Sequence, residues 1–133
     1  MTLFRFDYDA SEGKEIFLSY EDSDRKRLFA FLRLRIPPTQ SPLALFGNNG
    51  RRYGLVRELH TYGLALPVGE KKISAAQHRG LGKRLLAEAE RIAADDFGMT
   101  RCAVISGIGA RSYYKKFGYR LKNTYMVKSL VDK

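Results

Sequence analysis

Apolar positions alternate with polar ones through the first part of the chain and then fall on a helical stripe, so strands are expected first and a strand and helix unit later. The run EIFLSY, Glu15 to Tyr20, is rich in β-prone residues and predicts a strand that Glu21-Asp22-Ser23-Asp24 closes with a turn. Its return partner is RLFAFLRLRI, Arg27 to Ile36, where Leu32, Leu34 and Ile36 alternate with Arg33 and Arg35, as in a strand with one wetted face. Pro37-Pro38 lacks the N–H groups a ladder needs and ends it, and the polar, glycine-containing stretch through Gly50 predicts a surface loop. A third strand covers Gly54 to Tyr62. Strict alternation there puts Val56, Glu58, His60 and Tyr62 on one face and Leu55, Arg57, Leu59 and Thr61 on the other. Both faces mix polar with apolar residues, which suits a central strand lining a cleft.

After a strand ending near Leu66, Pro67 and a short charged loop, a helix is predicted with Leu81, Leu85, Ala89 and Ile92 on one stripe and Arg84, Glu88 and Arg91 opposite. Gly98 marks its end. A strand from about Arg101 to Ile105, a short helix from about Ala110 to Lys116 and a final strand from about Tyr119 to Val127 complete the order. The pattern reads as α+β: a mixed, mainly antiparallel sheet with flanking helices. If the strand at Arg101 pairs in parallel with the one at Leu55, the helix start opens at the carboxyl ends of both.

Length changes this picture little, since 133 residues make one domain able to close a single core, expected to span residues 1 to 133. Cys102 is the single cysteine, which excludes an internal disulfide, a several-thiolate zinc site and a three-cysteine iron–sulfur cluster, and its place in RCAVI predicts an inert core thiol. No apolar run is long enough to span a bilayer and the polar start has no signal-peptide form, so no membrane partner and a cytoplasmic location are expected. Charge matters more. Lysine and arginine total 24 against 14 acids, a formal net charge of +10, with Arg111, Lys115, Lys116, Arg120, Lys122 and Lys128 clustered late in the chain, which suits a polyanion such as nucleic acid or a phosphorylated coenzyme.

The candidate chemistry lies in Gln77-His78-Arg79-Gly80-Leu81-Gly82 at the start of the predicted helix. Two glycines there clear side-chain bulk, and the unpaired N–H groups of a helix start, reinforced by the helix dipole, form a seat for a pyrophosphate. An ordinary glycine turn before a helix fits the same six residues.

A second motif, Ala110-Arg111-Ser112-Tyr113-Tyr114-Lys115-Lys116-Phe117-Gly118-Tyr119, follows in order. Together the two segments resemble the Q/R-x-x-G-x-G/A coenzyme loop and the later A-x-x-[FY]-Y-x-x-x-G-[FY] segment of the GNAT N-acetyltransferase superfamily. FLRLRIP (Phe31 to Pro37), LVRELHTYG (Leu55 to Gly63), QHRGLG, VISGIGARSYYKKFGYRL (Val104 to Leu121) and YMVK (Tyr125 to Lys128) are similar, more narrowly, to the C-terminal acetyltransferase-like domain of the Elongator catalytic subunit family. The resemblance implies the GNAT acyl-CoA N-acyltransferase fold, with acetyl-CoA as substrate and its acetyl group in a splay between neighbouring strands. It also implies tRNA as a partner, modified at its wobble uridine toward 5-carboxymethyluridine with hydrolysis of the thioester. A radical-SAM domain, with its iron–sulfur cluster and S-adenosylmethionine, is expected on the same or a partner polypeptide, since this chain cannot hold that cluster and offers no metal site.

On these positions the resemblance implies that Gln77, Arg79, Gly80, Leu81 and Gly82 hold the pyrophosphate, mostly through main-chain N–H groups. Tyr114 falls where a tyrosine hydroxyl protonates the departing thiolate, with Tyr113 the other candidate. The two neighbours on a helix point about 100° apart, so one of them packs into the core. Glu58 and His60 are candidate bases on a shared strand face, or else structural partners of the sheet. At Gly107 the chain departs from the family's asparagine, which opens the pantetheine contact to question. A free-standing N-acetyltransferase of lysine or a small amine, and a basic tRNA-docking module without turnover, are the alternative functions.

Overall fold

The computed structural model describes residues 1–38, 53–62 and 80–131. The loop predicted through Gly50, the strand end near Leu66, Pro67, and Gln77, His78 and Arg79 of the glycine turn lie outside the described residues.

Four antiparallel strands build the front of the sheet: β1 (Thr2–Ala10), β2 (Gly13–Glu21), β3 (Leu28–Ile36) and β4 (Tyr53–Thr61). Strand β1 was not expected. Its Phe4, Phe6 and Tyr8 alternate with Arg5, Asp7 and Asp9, and a sheet-edge strand tolerates such charge on the face that would otherwise be buried. Arg5 ties that edge to Asp7 and, across the helix layer, to Asp96 at 2.9 Å. A two-residue turn joins β1 to β2, with Ser11 and Glu12 both at positive φ, the geometry whose twist matches flanking antiparallel strands.

Helix α1 (Leu81–Arg91) follows, extended by a π-helical turn over Ile92–Asp96 and closed at Gly98, whose φ of 66° is the left-handed conformation expected of a helix end. The predicted stripe holds: Leu81, Leu85, Ala89 and Ile92 are each fully buried. They pack on Ile16 and Leu18 of β2, Leu32 and Leu34 of β3 and Val56 of β4. Strand β5 (Arg101–Val104) then pairs with β4 in parallel, Leu55 opposite Ala103, the one parallel pair among the described strands. A 3-10 turn (Ile108–Ala110) leads into the short helix α2 (Arg111–Lys115).

The final strand predicted from about Tyr119 to Val127 is two strands. β6 (Arg120–Lys122) and β7 (Tyr125–Ser129) reverse at Asn123 and Thr124, both at positive φ, and β7 inserts between β5 and β6. An Asn-Thr pair is a weaker hairpin signal than Asn-Gly, so the alternation ran through the turn unbroken. The strand order is β1-β2-β3-β4-β5-β7-β6.

Leu85 fills the centre of the α1 contact without solvent exposure. Leu85→Ala is expected to cost about 3 kcal/mol of stability, read as a lower urea midpoint at unchanged slope.

Candidate functional site

Strand β4 shares its last hydrogen bond with the β5 side at Val56, whose carbonyl accepts the Ile105 N–H at 3.1 Å. Beyond that rung β4 stays on β3 as far as Tyr62, whose N–H donates to Phe29 O at 3.0 Å, while the other chain segment turns off through Ser106 and Gly107 into α2. The two parallel strands therefore part, and a cleft opens at their carboxyl ends. Ser106, the residue after Ile105 where the strands part, has a buried hydroxyl with no hydrogen-bond partner. A Cβ built on Gly107 would meet nothing within 4 Å, so the space an asparagine side chain would fill is open.

The first turn of α1 lies beside this cleft. Gly80 caps it without a side-chain hydrogen bond, and no acidic residue stands in the first turn. Among the described residues no side chain of the first turn supplies an anion to these N–H groups or to the positive end of the dipole. At Gly82 the missing Cβ serves a second purpose, because one built there would lie 2.2 Å from Tyr113 Oη and 3.5 Å from Thr61 Cγ2. The glycine expected to admit a phosphate makes room for a phenol of this chain, and three elements meet there: the first turn of α1, the end of β4 and α2.

Of the tyrosine pair, Tyr114 packs into the core, 6% exposed and edge-on to Tyr119 at 5.9 Å, while Tyr113 is the half-buried one whose hydroxyl reaches α1. Their rings meet edge to face at 5.2 Å. Burial pushes the Tyr114 phenol up to about 12, with smaller contributions from Tyr113 and Cys102, and burial raises Tyr113 as well. Both hydroxyls hold their protons at neutral pH, the state a proton donor needs.

A β-bulge between Arg33 and Leu34 corrects the expected faces of β4. Leu34 pairs with Val56 and Arg33 with Glu58, so the extra residue, Arg57, moves Val56 and Glu58 to opposite sides of the sheet. Val56 joins the core under α1. Glu58 and His60 do share a face, but it is the other one, where Glu58 Oε2 lies 3.3 Å from Arg33 Nη1 and His60 stacks on Phe31 at 5.0 Å. Neither residue touches Tyr113 or Tyr114 through any described contact.

Cys102 is fully buried and its thiol is pushed up to about 12 by burial, consistent with an inert core residue. Among the described residues no group of three or more His, Cys, Asp or Glu could hold a metal ion, and no helix is long and apolar enough to cross a membrane. The late basic cluster is at the surface, with Lys115, Lys116 and Arg120 exposed. Lys116 and Lys128 join Lys83 of α1 around a groove of about 350 Å³ floored by Leu86 and Phe117. Glu90 there accepts from Tyr119 Oη at 2.7 Å and from Lys128 Nζ at 3.0 Å. Thr61, Ser106 and the Gly82–Tyr113 contact were missing from the residues expected at the site. Only the place of Ser106 after a predicted strand hinted at a role.

Comparison with known proteins bears on this geometry. The profile of the Acetyltransferase (GNAT) family matches residues 3–119. A protein of Dehalococcoides mccartyi named tRNA uridine(34) acetyltransferase is 54% identical over 129 residues, 97% of this chain and 28% of that protein. The Homo sapiens Elongator complex protein 3 is 47% identical over 128 residues, 96% of this chain and 23% of that protein. The chain thus spans about a quarter of the length of the curated relatives it matches. Among solved structures, the archaeal Methanocaldococcus infernus Elp3 superposes with a TM-score of 0.80 at 45% identity, covering 96% of this chain and 29% of that one. Tetrahymena GCN5, at 13% identity and a TM-score of 0.56 over 88% of this chain and 69% of its own, shares the fold.

Two outcomes follow from the geometry. Gly82→Ala is expected to cost about 2 kcal/mol through the clash with Tyr113 Oη, and Tyr113→Phe in the same chain to recover most of it, measured as a double-mutant cycle by urea unfolding. Stability is also expected to fall as pH rises from about 9 to about 12. The unfolded chain loses the Cys102 and Tyr114 protons first, so it binds fewer protons than the folded one across that window and the slope is negative. Thermal melts across the window check it, and Tyr114→Phe should flatten its upper part.

Proposed function

Because the chain belongs to the acetyltransferase (GNAT) family, we propose that it binds acetyl-CoA at the first turn of α1 and along the cleft between β4 and β5, and presents the acetyl group for modification of a tRNA wobble uridine. The observation that carries this reading is the parting of the only parallel strand pair among the described residues beneath a helix whose first turn holds no acidic residue. In this reading the N–H groups of Leu81, Gly82 and the turn before them hold the diphosphate, with Gln77 and Arg79 as the expected side-chain contributors. The partnerless hydroxyl of Ser106 fits a polar ligand in the cleft, since a buried hydroxyl is stabilised when a partner arrives.

The tRNA part of the proposal is supported by the names of the relatives, similar over nearly the whole chain, and by the +10 charge. Within the proposal residues 1 to 133 act as one acetyl-donor domain, and the radical needed to activate the acetyl methyl group is made on a radical-SAM domain outside this segment. The chain's own residues bind and orient the thioester, and as water adds to its carbonyl carbon and the C–S bond breaks, a phenol gives its proton to the departing sulfur, leaving the acyl group as a carboxylic acid and the coenzyme as a free thiol. Tyr113 is the better placed donor for a ligand lying along α1, because its hydroxyl is already at Gly82; Tyr114 serves a ligand that reaches deeper between the strands. Glu58, with its side chain 41% exposed on the opposite face, is positioned to orient a water or the acceptor there.

Calorimetry with a stable thioether analogue of acetyl-CoA should show saturable binding that Gly80→Glu abolishes, since a carboxylate at the helix start repels the diphosphate. Release of free thiol from acetyl-CoA should rise when tRNA is added; acetyl transfer to a lysine peptide without RNA would instead support the amine acetyltransferase.

A further inference from the structure

Both helices of the described chain lie on one side of the sheet, α1 on Leu32, Leu34 and Val56 and α2 against α1 through Tyr113 and Gly82. The opposite side carries no described helix, yet its side chains are not those of a plain solvated face. A row of rings crosses four strands there. Phe6 of β1 is paired with Phe17 of β2, Phe17 stacks on Phe31 of β3 at 5.4 Å, and Phe31 stacks on His60 at 5.0 Å and lies 6.4 Å from Tyr62 at the end of β4. Phe6 and Tyr62, the two ends of the row, are 61% and 46% exposed.

Arginines flank the rings. Arg35 and Arg57 share the one carboxylate of Glu15, at 3.6 and 3.3 Å, which among the described residues leaves one positive charge uncompensated. Arg33 faces Glu58 but keeps a buried Nε with no partner, and Arg25 lies over the ring of Phe4 at 4.4 Å. The row ends at His60 and Tyr62, beside the cleft where β4 leaves β5. In the proposed function, a ligand seated on α1 and threaded through that cleft would deliver its far end to this side.

From this we infer that the helix-free face of β1–β4 is a stacking platform for unpaired bases of an RNA loop, with Phe31, His60 and Tyr62 receiving bases next to the cleft and Arg33 and Arg57 taking backbone phosphates. The inference rests on the tRNA reading above and deepens it. Rings laid across an antiparallel sheet and edged with arginine suit single strands: every base offers a π-face, and paired RNA hides its bases. A second copy of this chain would meet the same unbalanced positive charge, which disfavours self-pairing of the face.

The test is fluorescence anisotropy of the whole 133-residue chain with a labelled RNA hairpin bearing an unpaired loop and with a fully paired duplex of equal length. Wild type should prefer the hairpin, Phe31→Leu and Tyr62→Leu should each weaken hairpin binding about tenfold, the share of one stacked base, and Phe31→Tyr should retain it. Duplex binding should be the same in all four proteins. Tyr62 is exposed, so its variant tests the face even where Phe31→Leu fails to fold. Equal loss on hairpin and duplex, unchanged hairpin binding in both leucine variants, no RNA binding by wild type, or a dimer that Tyr62→Leu dissolves would each overturn the platform. Calorimetry with the thioether analogue on the same samples separates the two ideas: coenzyme binding without loop preference removes the platform alone, and absent coenzyme binding removes the acetyl-donor reading.

Discussion

One hydrogen bond sets the geometry of this molecule, the rung from the Ile105 N–H to the Val56 carbonyl. A parallel pair that continued past it would satisfy its own backbone groups and seal the sheet. Because β5 stops and β4 does not, the strands diverge at the level where α1 begins. The divergence is held open from both sides. Strand β4 cannot follow β5, since its hydrogen bonds to β3 run on to Thr61 and Tyr62, and the segment after Ile105 cannot follow β4, since it winds through a 3-10 turn into α2. Helix start, strand ends and the α2 tyrosines meet in one place for this reason, and none is brought there by a contact designed for it alone.

The bulge at Arg57 belongs to the same construction. One extra residue between Val56 and Glu58 lets β4 place Val56 in the core under α1 and, immediately afterwards, place Glu58 and His60 on the helix-free face. A regular strand would have put all three on one side and either buried a carboxylate beneath α1 or exposed the valine. The bulge also brings Arg57 onto Glu15, a carboxylate whose side chain is 4% exposed. Breaking such a pair from one side leaves a buried charge without its partner, so the bulge and the Arg35–Glu15–Arg57 group hold each other in place.

Much of this architecture was legible in the sequence, where burial enforces a period. The stripe Leu81, Leu85, Ala89 and Ile92 and the alternation of Leu32, Leu34 and Ile36 are direct consequences of one-sided packing, and both appear as read. The failures share a cause. At Arg57, at Asn123-Thr124 and along β1, the deciding factor was a local departure from a period or an edge position, and no composition signal marks a non-glycine residue at positive φ or a bulge. At the candidate site, the sequence pointed to the tyrosine pair and the helix start but not to their mutual arrangement, because which of two adjacent phenols faces the core depends on how α2 packs. The contact of Tyr113 with Gly82 links residues 31 apart in sequence (113 − 82), and periodicity carries no information at that range.

Within the proposed function, the candidates for the proton donor narrow by elimination among the described groups near the cleft. The Cys102 thiol is buried and pushed up to about 12, and it sits on a strand interior away from the helix start. His60 has its ring stacked on Phe31 on the far side of the sheet from α1. The lysines of the surface groove face outward around Glu90, which already accepts from Lys128 and Tyr119. The phenols of Tyr113 and Tyr114 are left, protonated at neutral pH and adjacent on one helix turn with their rings edge to face. In the proposed function the choice between them is one of reach: Tyr113, whose hydroxyl lies at Gly82, serves a leaving sulfur beside α1, and Tyr114 serves one that reaches deeper into the core. In that proposal, the depth at which the strands part decides which phenol acts as the acid.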